Sequence, residues 1–80
     1  MNEKDKVRLR EMLDAARRAR AFVQNKTRQT LDNDEILAFA VVRALEIVGE
    51  AANQISAGTR ETLPQIPWKN IVGMRHRIIH

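Results

Sequence analysis

Eighty residues allow one small domain, and a core in so short a chain is marginal without a staple or a partner. Cysteine is absent, which excludes disulfides, zinc fingers and thiol chemistry and suits a reducing cytoplasm. No run of about eighteen apolar residues exists to span a membrane, and the net charge of +4, with arginine the main cation, fits either a phosphate-bearing partner or a solvated basic surface.

The first helix is expected from Glu3 to about Asn25. Leu9, Met12, Leu13, Ala16, Ala19, Phe22 and Val23 recur at steps of three and four, an apolar stripe. Arg10, Asp14, Arg17 and Arg18 fall on the other face, with Asp14 and Arg18 spaced for an i,i+4 pair. Thr27 to Asn33 reads as a polar connection, with Asp32 or Asn33 available to cap the next helix. The second helix is expected from about Asp34 to Ala57, stopped by Gly58. Apolar residues from Ile36 to Ile55 cover most of its circumference, and so short a chain has too few helices to wrap it. A homodimer with this helix at or near the interface follows as an expectation. One polar strip interrupts the apolar surface: Arg43, Glu46, Glu50, and Asn53 or Gln54. Glu46 and Glu50 repel weakly at i,i+4, and a cation such as Arg75 or Arg77 across them would relieve it. Otherwise the strip simply faces water.

Thr59 to Ile66 reads as a second connection, with a possible single turn at Thr59–Thr62. Pro64 disfavours helix at Leu63, and Pro67 suits the first position of a third helix. Trp68 reads as a packing anchor for that helix. The coarse fold is all-α: a small up-and-down bundle of three helices in one domain, residues 1–80.

The third helix ends in Arg75-His76-Arg77-Ile78-Ile79-His80. A histidine that titrates near neutrality can move a proton to or from a ribose oxygen. An arginine can hold a phosphate and stabilise the charge of the transition state. Together they form a minimal kit for RNA cleavage without a metal. On a straight helix Arg75 and His80 stand roughly 140° apart, so their convergence needs a distortion, a long reach or a second copy of the helix. His76 and His80, at i and i+4, have the spacing of two metal ligands, but two are too few for a site. The blandest alternative is a basic helix end that suits the dipole. A DNA-reading helix-turn-helix fits poorly, because the second helix is too apolar to expose a recognition face.

Two stretches, Val42-Arg43-Ala44-Leu45-Glu46-Ile47-Val48-Gly49-Glu50-Ala51-Ala52 and Ile66-Pro67-Trp68 through Gly73-Met74-Arg75 to His80, resemble the HepT-like toxins of the HEPN superfamily. The resemblance covers essentially the whole chain. It implies an all-α dimer whose active site lies in a cleft at the dimer interface. It implies a metal-independent ribonuclease, without cofactor, paired with a minimal nucleotidyltransferase antitoxin. In the family motif Arg-x4-His-x-Tyr, Arg75 matches the arginine, His76 the polar position and His80 the histidine; the tyrosine falls beyond His80. Arg75 and His80 are thus the expected catalytic pair. His76, Glu46 and Glu50 are expected to support them, and Lys69 and Arg77 to contact RNA phosphate. Ile78-Ile79-His80 carries no helix stop, so a domain truncated at its C-terminus is expected. The rival expectation is a non-catalytic helical module that docks on a nucleotidyltransferase.

Overall fold

Asn2 opens the first helix, its Oδ1 accepting the Asp5 N–H at 2.7 Å. This helix, α1 (Glu3–Val23), stops when Asn25 enters the left-handed region at φ 61°, a conformation asparagine tolerates. The computed structural model describes residues 1–79, apart from the side chains of Arg75, His76, Ile78 and Ile79. Four further helices follow: α2 (Arg28–Asn33), α3 (Glu35–Gln54), α4 (Ala57–Thr62) and α5 (Trp68–Ile79). The described residues are all-α, as expected, with α1, α3 and α5 as the three long elements.

The first expected connection holds a short helix instead, and the turn expected at Thr59–Thr62 belongs to another, α4; each has a cap that explains it. Thr27 Oγ1 accepts the Thr30 N–H at 3.1 Å and starts α2 inside the stretch read as polar loop. Asp34, rather than Asp32 or Asn33, caps α3 by accepting the Leu37 N–H at 3.0 Å. The second long helix does not run on to Ala57. Ile55 turns extended, and Ser56 accepts the Thr59 N–H at 3.3 Å to start α4. Gly58 therefore lies within α4 at negative φ and terminates nothing. Serine at a cap outcompetes the helix because its side chain replaces a missing backbone partner. Pro67 stands just before α5, its carbonyl accepting the Ile71 N–H at 3.0 Å.

α3 is the central element and packs against both α1 and α5. Asp5, near the start of α1, meets Ser56, just past the end of α3, so those two helices run antiparallel. The start of α5 also lies beside the end of α3. Arg60 of α4 makes that junction: its guanidinium donates to the carbonyls of Ala52 at 2.7 Å and Ile55 at 3.1 Å and sits 5.7 Å from the Trp68 ring centre. Trp68 Nε1 donates to the Leu63 carbonyl at 3.0 Å, so the tryptophan is the anchor its position suggested. The result is the expected up-and-down arrangement.

The buried apolar residues are Ala15, Ala19, Ala44, Val48, Ala51, Ala52 and Ile55. Most are alanines, so the backbones approach closely and little apolar area is buried per residue. The α1 stripe is rotated from its expected centre. Leu13 and Ala16 are exposed, whereas Ala15, Ala19 and Asp5 face α3. α1 and α5 cover two sides of α3 but leave one side of its N-terminal half bare: Ile36 is 84%, Phe39 67% and Val42 38% exposed.

Asp5 is the one buried carboxylate among the described residues, at 3% exposure. It accepts the Ser56 hydroxyl at 2.6 Å, the Thr59 hydroxyl and the Ser56 N–H at 3.1 Å. The Ser56 hydroxyl, then the Thr59 hydroxyl, hold its pKa below the ordinary carboxylate value. A lowered folded-state pKa means that the stabilisation is complete above the ordinary value and is lost as pH falls through the lowered one. Asp5→Asn is expected to lower the melting temperature at neutral pH by several degrees and to flatten the acid limb of stability against pH. Thermal melts across the acid range check both; an acid limb as steep as that of the unaltered chain would remove Asp5 as its source.

Candidate active site on the last helix

α5 displays the residues the sequence singled out. Its start is pinned by Trp68 and Arg60 to the end of α3, and its half-buried Ile71, Val72, Gly73 and Met74 form the turn before the basic cluster. Arg75 and His76 follow on the same helix, and their side chains lie outside the described residues, as does the whole of His80. The convergence of Arg75 with His80 therefore falls outside the description. Lys69 and Arg77 are exposed, and the Arg77 guanidinium folds back to within 3.9 Å of where a Cβ on Gly73 would stand.

Glu46 and Glu50 sit on the outward side of α3, partly exposed, with a cation between them. That cation is Arg43 of the same helix, whose Nη1 lies 3.4 Å from Glu46 Oε2 and 3.4 Å from Glu50 Oε1. The signal was present in the sequence: residues 43, 46 and 50 fall at steps of three and four. Arg77 does not bridge these carboxylates. The polar strip runs directly on from the bare apolar side of α3, so Phe39 and Arg43 lie one turn apart on the same outward face.

Among the described residues there is no group of three or more histidine, cysteine or acidic side chains placed to hold a metal. Nor is any described helix long and apolar enough to cross a membrane. The Asp5–Ser56–Thr59 network and the Arg60 cap were not foreseen. Both act on the site indirectly, by fixing α4 and with it the start of α5.

The family described as ribonuclease HepT-like matches residues 12–80. The chain belongs to that family. The match takes in α3, α4 and α5 entirely, including the whole Arg75-to-His80 segment. A protein named "Putative RNase" in Methanocaldococcus jannaschii is 37% identical over 81 aligned positions, covering 100% of this HepT-like chain and 74% of the relative. A second "Putative RNase" of that organism is 41% identical over 74% of the chain and 49% of its own length. A "Probable ribonuclease HepT" of Thermococcus cleftensis is 45% identical over 59% of the chain and 43% of its own length. The HepT-like chain thus spans three quarters of one of these relatives and about half or less of the other two. No solved structure matches it.

Proposed function

We propose that this HepT-like chain is a metal-independent endoribonuclease, the toxin of a cytoplasmic toxin–antitoxin pair whose antitoxin is a nucleotidyltransferase. The observation that carries the reading is the family match across α5, where Arg75 and His80 keep the spacing of the family's catalytic motif. Cleavage proceeds by attack of a ribose 2′-oxygen on its own phosphate. That step forms the new 2′-O–P bond, breaks the 5′-O–P bond and leaves a 2′,3′-cyclic phosphate. His80 moves the proton on the attacking or leaving oxygen. Arg75 holds the phosphate oxygens and offsets the charge that grows there. His76 orients the phosphate, and Lys69 and Arg77 contact the flanking backbone.

A homodimer completes the site in this reading, and the bare side of α3 supports it. Ile36, Phe39 and Val42 are an unusual exposure for a chain whose own core is mostly alanine. The Arg43–Glu46–Glu50 strip then lies at the rim of the interface, where its carboxylates orient Arg75 in addition to pairing with Arg43. Phe39→Glu is expected to convert a dimer into a monomer at micromolar concentration while leaving helix content unchanged. Sedimentation velocity checks this, and a stable monomer in the unaltered chain would contradict the interface.

The function is tested by incubating the protein with single-stranded RNA in EDTA. The expected products carry 2′,3′-cyclic phosphate ends. Cleavage that EDTA stops would sink the metal-free mechanism. Intact RNA together with tight binding to a nucleotidyltransferase would instead assign a docking module.

A further inference from the structure

The cations of α1 divide into two sets. Lys6 is bridged to Glu3 at 3.2 Å and Arg8 to Glu11 at 3.1 Å. Lys4, Arg10, Arg17, Arg18 and Arg20 are exposed, and none has a carboxylate within 4.0 Å among the described residues; Arg10, Arg17 and Arg20 share one face, whereas Arg18 stands roughly 80–100° away from Arg10 and Arg17. On an α-helix Arg10 and Arg17 stand about 20° apart around the axis, and Arg20 roughly 60° further round. Ala15 and Ala19, which face α3, lie roughly opposite. The three guanidiniums therefore form one outward ridge with an axial length of about 15 Å. Leu13, 49% exposed, and Asp14 lie between Arg10 and Arg17 along it. Arg20 is in the last turn and suits the helix dipole, but Arg10 and Arg17 are mid-helix and gain nothing from it. The fold does not account for three unpaired arginines gathered on a face remote from the core.

We propose that the Arg10–Arg17–Arg20 ridge binds the phosphodiester backbone of single-stranded RNA, as an anchor separate from the cleavage residues. The proposal rests on the ribonuclease reading for its choice of polyanion. Guanidinium forks match phosphate oxygens in a bidentate way. The ridge holds no aromatic side chain on which a base could stack, so it grips backbone without reading sequence. α1 and α5 are different helices, each packed on α3. The ridge is therefore on a different helix from Arg75. Such an anchor strengthens substrate and transition-state binding equally, so it acts on KM and leaves kcat alone.

The test uses the full chain and a labelled single-stranded oligouridylate, with affinity read by fluorescence anisotropy across a salt series. Cleavage kinetics are measured in parallel. Arg10→Ala/Arg17→Ala/Arg20→Ala is compared with Lys4→Ala/Lys26→Ala/Arg28→Ala, which removes the same net charge away from the ridge. For single strands each lost phosphate contact lowers the slope of log affinity against log salt by about 0.7, so the ridge variant should lose about 2. Its KM should rise about tenfold or more with kcat unchanged, and the control variant should change much less. Equal effects from the two variants, or an unchanged slope in the ridge variant, would overturn the ridge. If the unaltered chain cleaves RNA and the ridge variant behaves identically, the anchor fails and the ribonuclease stands. If the ridge sets the salt slope but no cleavage occurs, the anchor stands and the ribonuclease fails.

Discussion

His80→Ala is expected to slow RNA cleavage by about 100- to 10,000-fold, the usual worth of a positioned general acid or base. Arg75→Ala is expected to cost about 100- to 1,000-fold, the scale for losing a group that stabilises transition-state charge. On the proposed mechanism both losses should appear in kcat, because each group would act chiefly on charge or protons that move only in the transition state. The two should not add in the double variant, since residues that act as a unit fail together. Arg75→Lys keeps a charge but loses the planar fork, so it should recover activity only in part. The pH profile separates the roles: removing His80 should abolish the limb that reports its proton transfer, whereas removing Arg75 should lower the whole curve. Single-turnover cleavage of a short RNA across pH measures all four variants. Full activity in His80→Ala would remove the histidine from the mechanism, and circular dichroism of each variant tells chemistry from unfolding.

Ala52→Leu is expected to destabilise the domain by about 1–3 kcal/mol, the range for forcing methylenes into a packed interior. Ala52 is 0% exposed, and its carbonyl accepts the Arg60 guanidinium at 2.7 Å. A longer side chain there must separate α3 from its neighbours or shift the end of the helix. Either displacement breaks the Arg60 cap and loosens Trp68, so the start of α5 should move as well. For a domain of this size each kcal/mol lowers Tm by about 4–8 °C. Ala16→Leu is the control: Ala16 is on the same kind of helix but exposed, and should change stability by less than about 0.5 kcal/mol. Melts at one fixed protein concentration keep dimerisation from entering the comparison. Equal melting of the two variants would mean that the helices around Ala52 are less closely packed than described.

The Ala52 prediction could not have been written from the sequence. Fifteen apolar residues crowd the stretch from Asp34 to Ala57, and nothing local ranks Ala52 above Ala38 or Ala40. Periodicity shows that a helix has an inner side but leaves its centre uncertain by a residue or two. On α1 that uncertainty exchanged Ala16 for Ala15 and brought Leu13 inside when it lies outside. The dimer expectation shows the same limit. The sequence showed that α3 has more apolar surface than its neighbours can cover. Only the packing showed that Ile36, Phe39 and Val42 are the part left bare.

The sequence by itself determined the all-α class, the three long helices, the Trp68 anchor and the motif that runs from Arg75 to His80. These rest on residues three, four or five apart, whose relation along a helix is set by its geometry. The tertiary structure decided what joins distant parts of the chain. Asp5 is an ordinary first-turn acid until the antiparallel packing of α1 on α3 brings it to Ser56 and Thr59, 51 and 54 residues away. Arg60 is an ordinary surface cation until α4 turns it onto the end of α3. Ser56 stops α3 ahead of Gly58 by capping α4, and the packing then adds Asp5 to the same hydroxyl. Hydrogen bonds of this kind depend on where a helix lies in space, and burial and packing settle that only once the whole chain has folded.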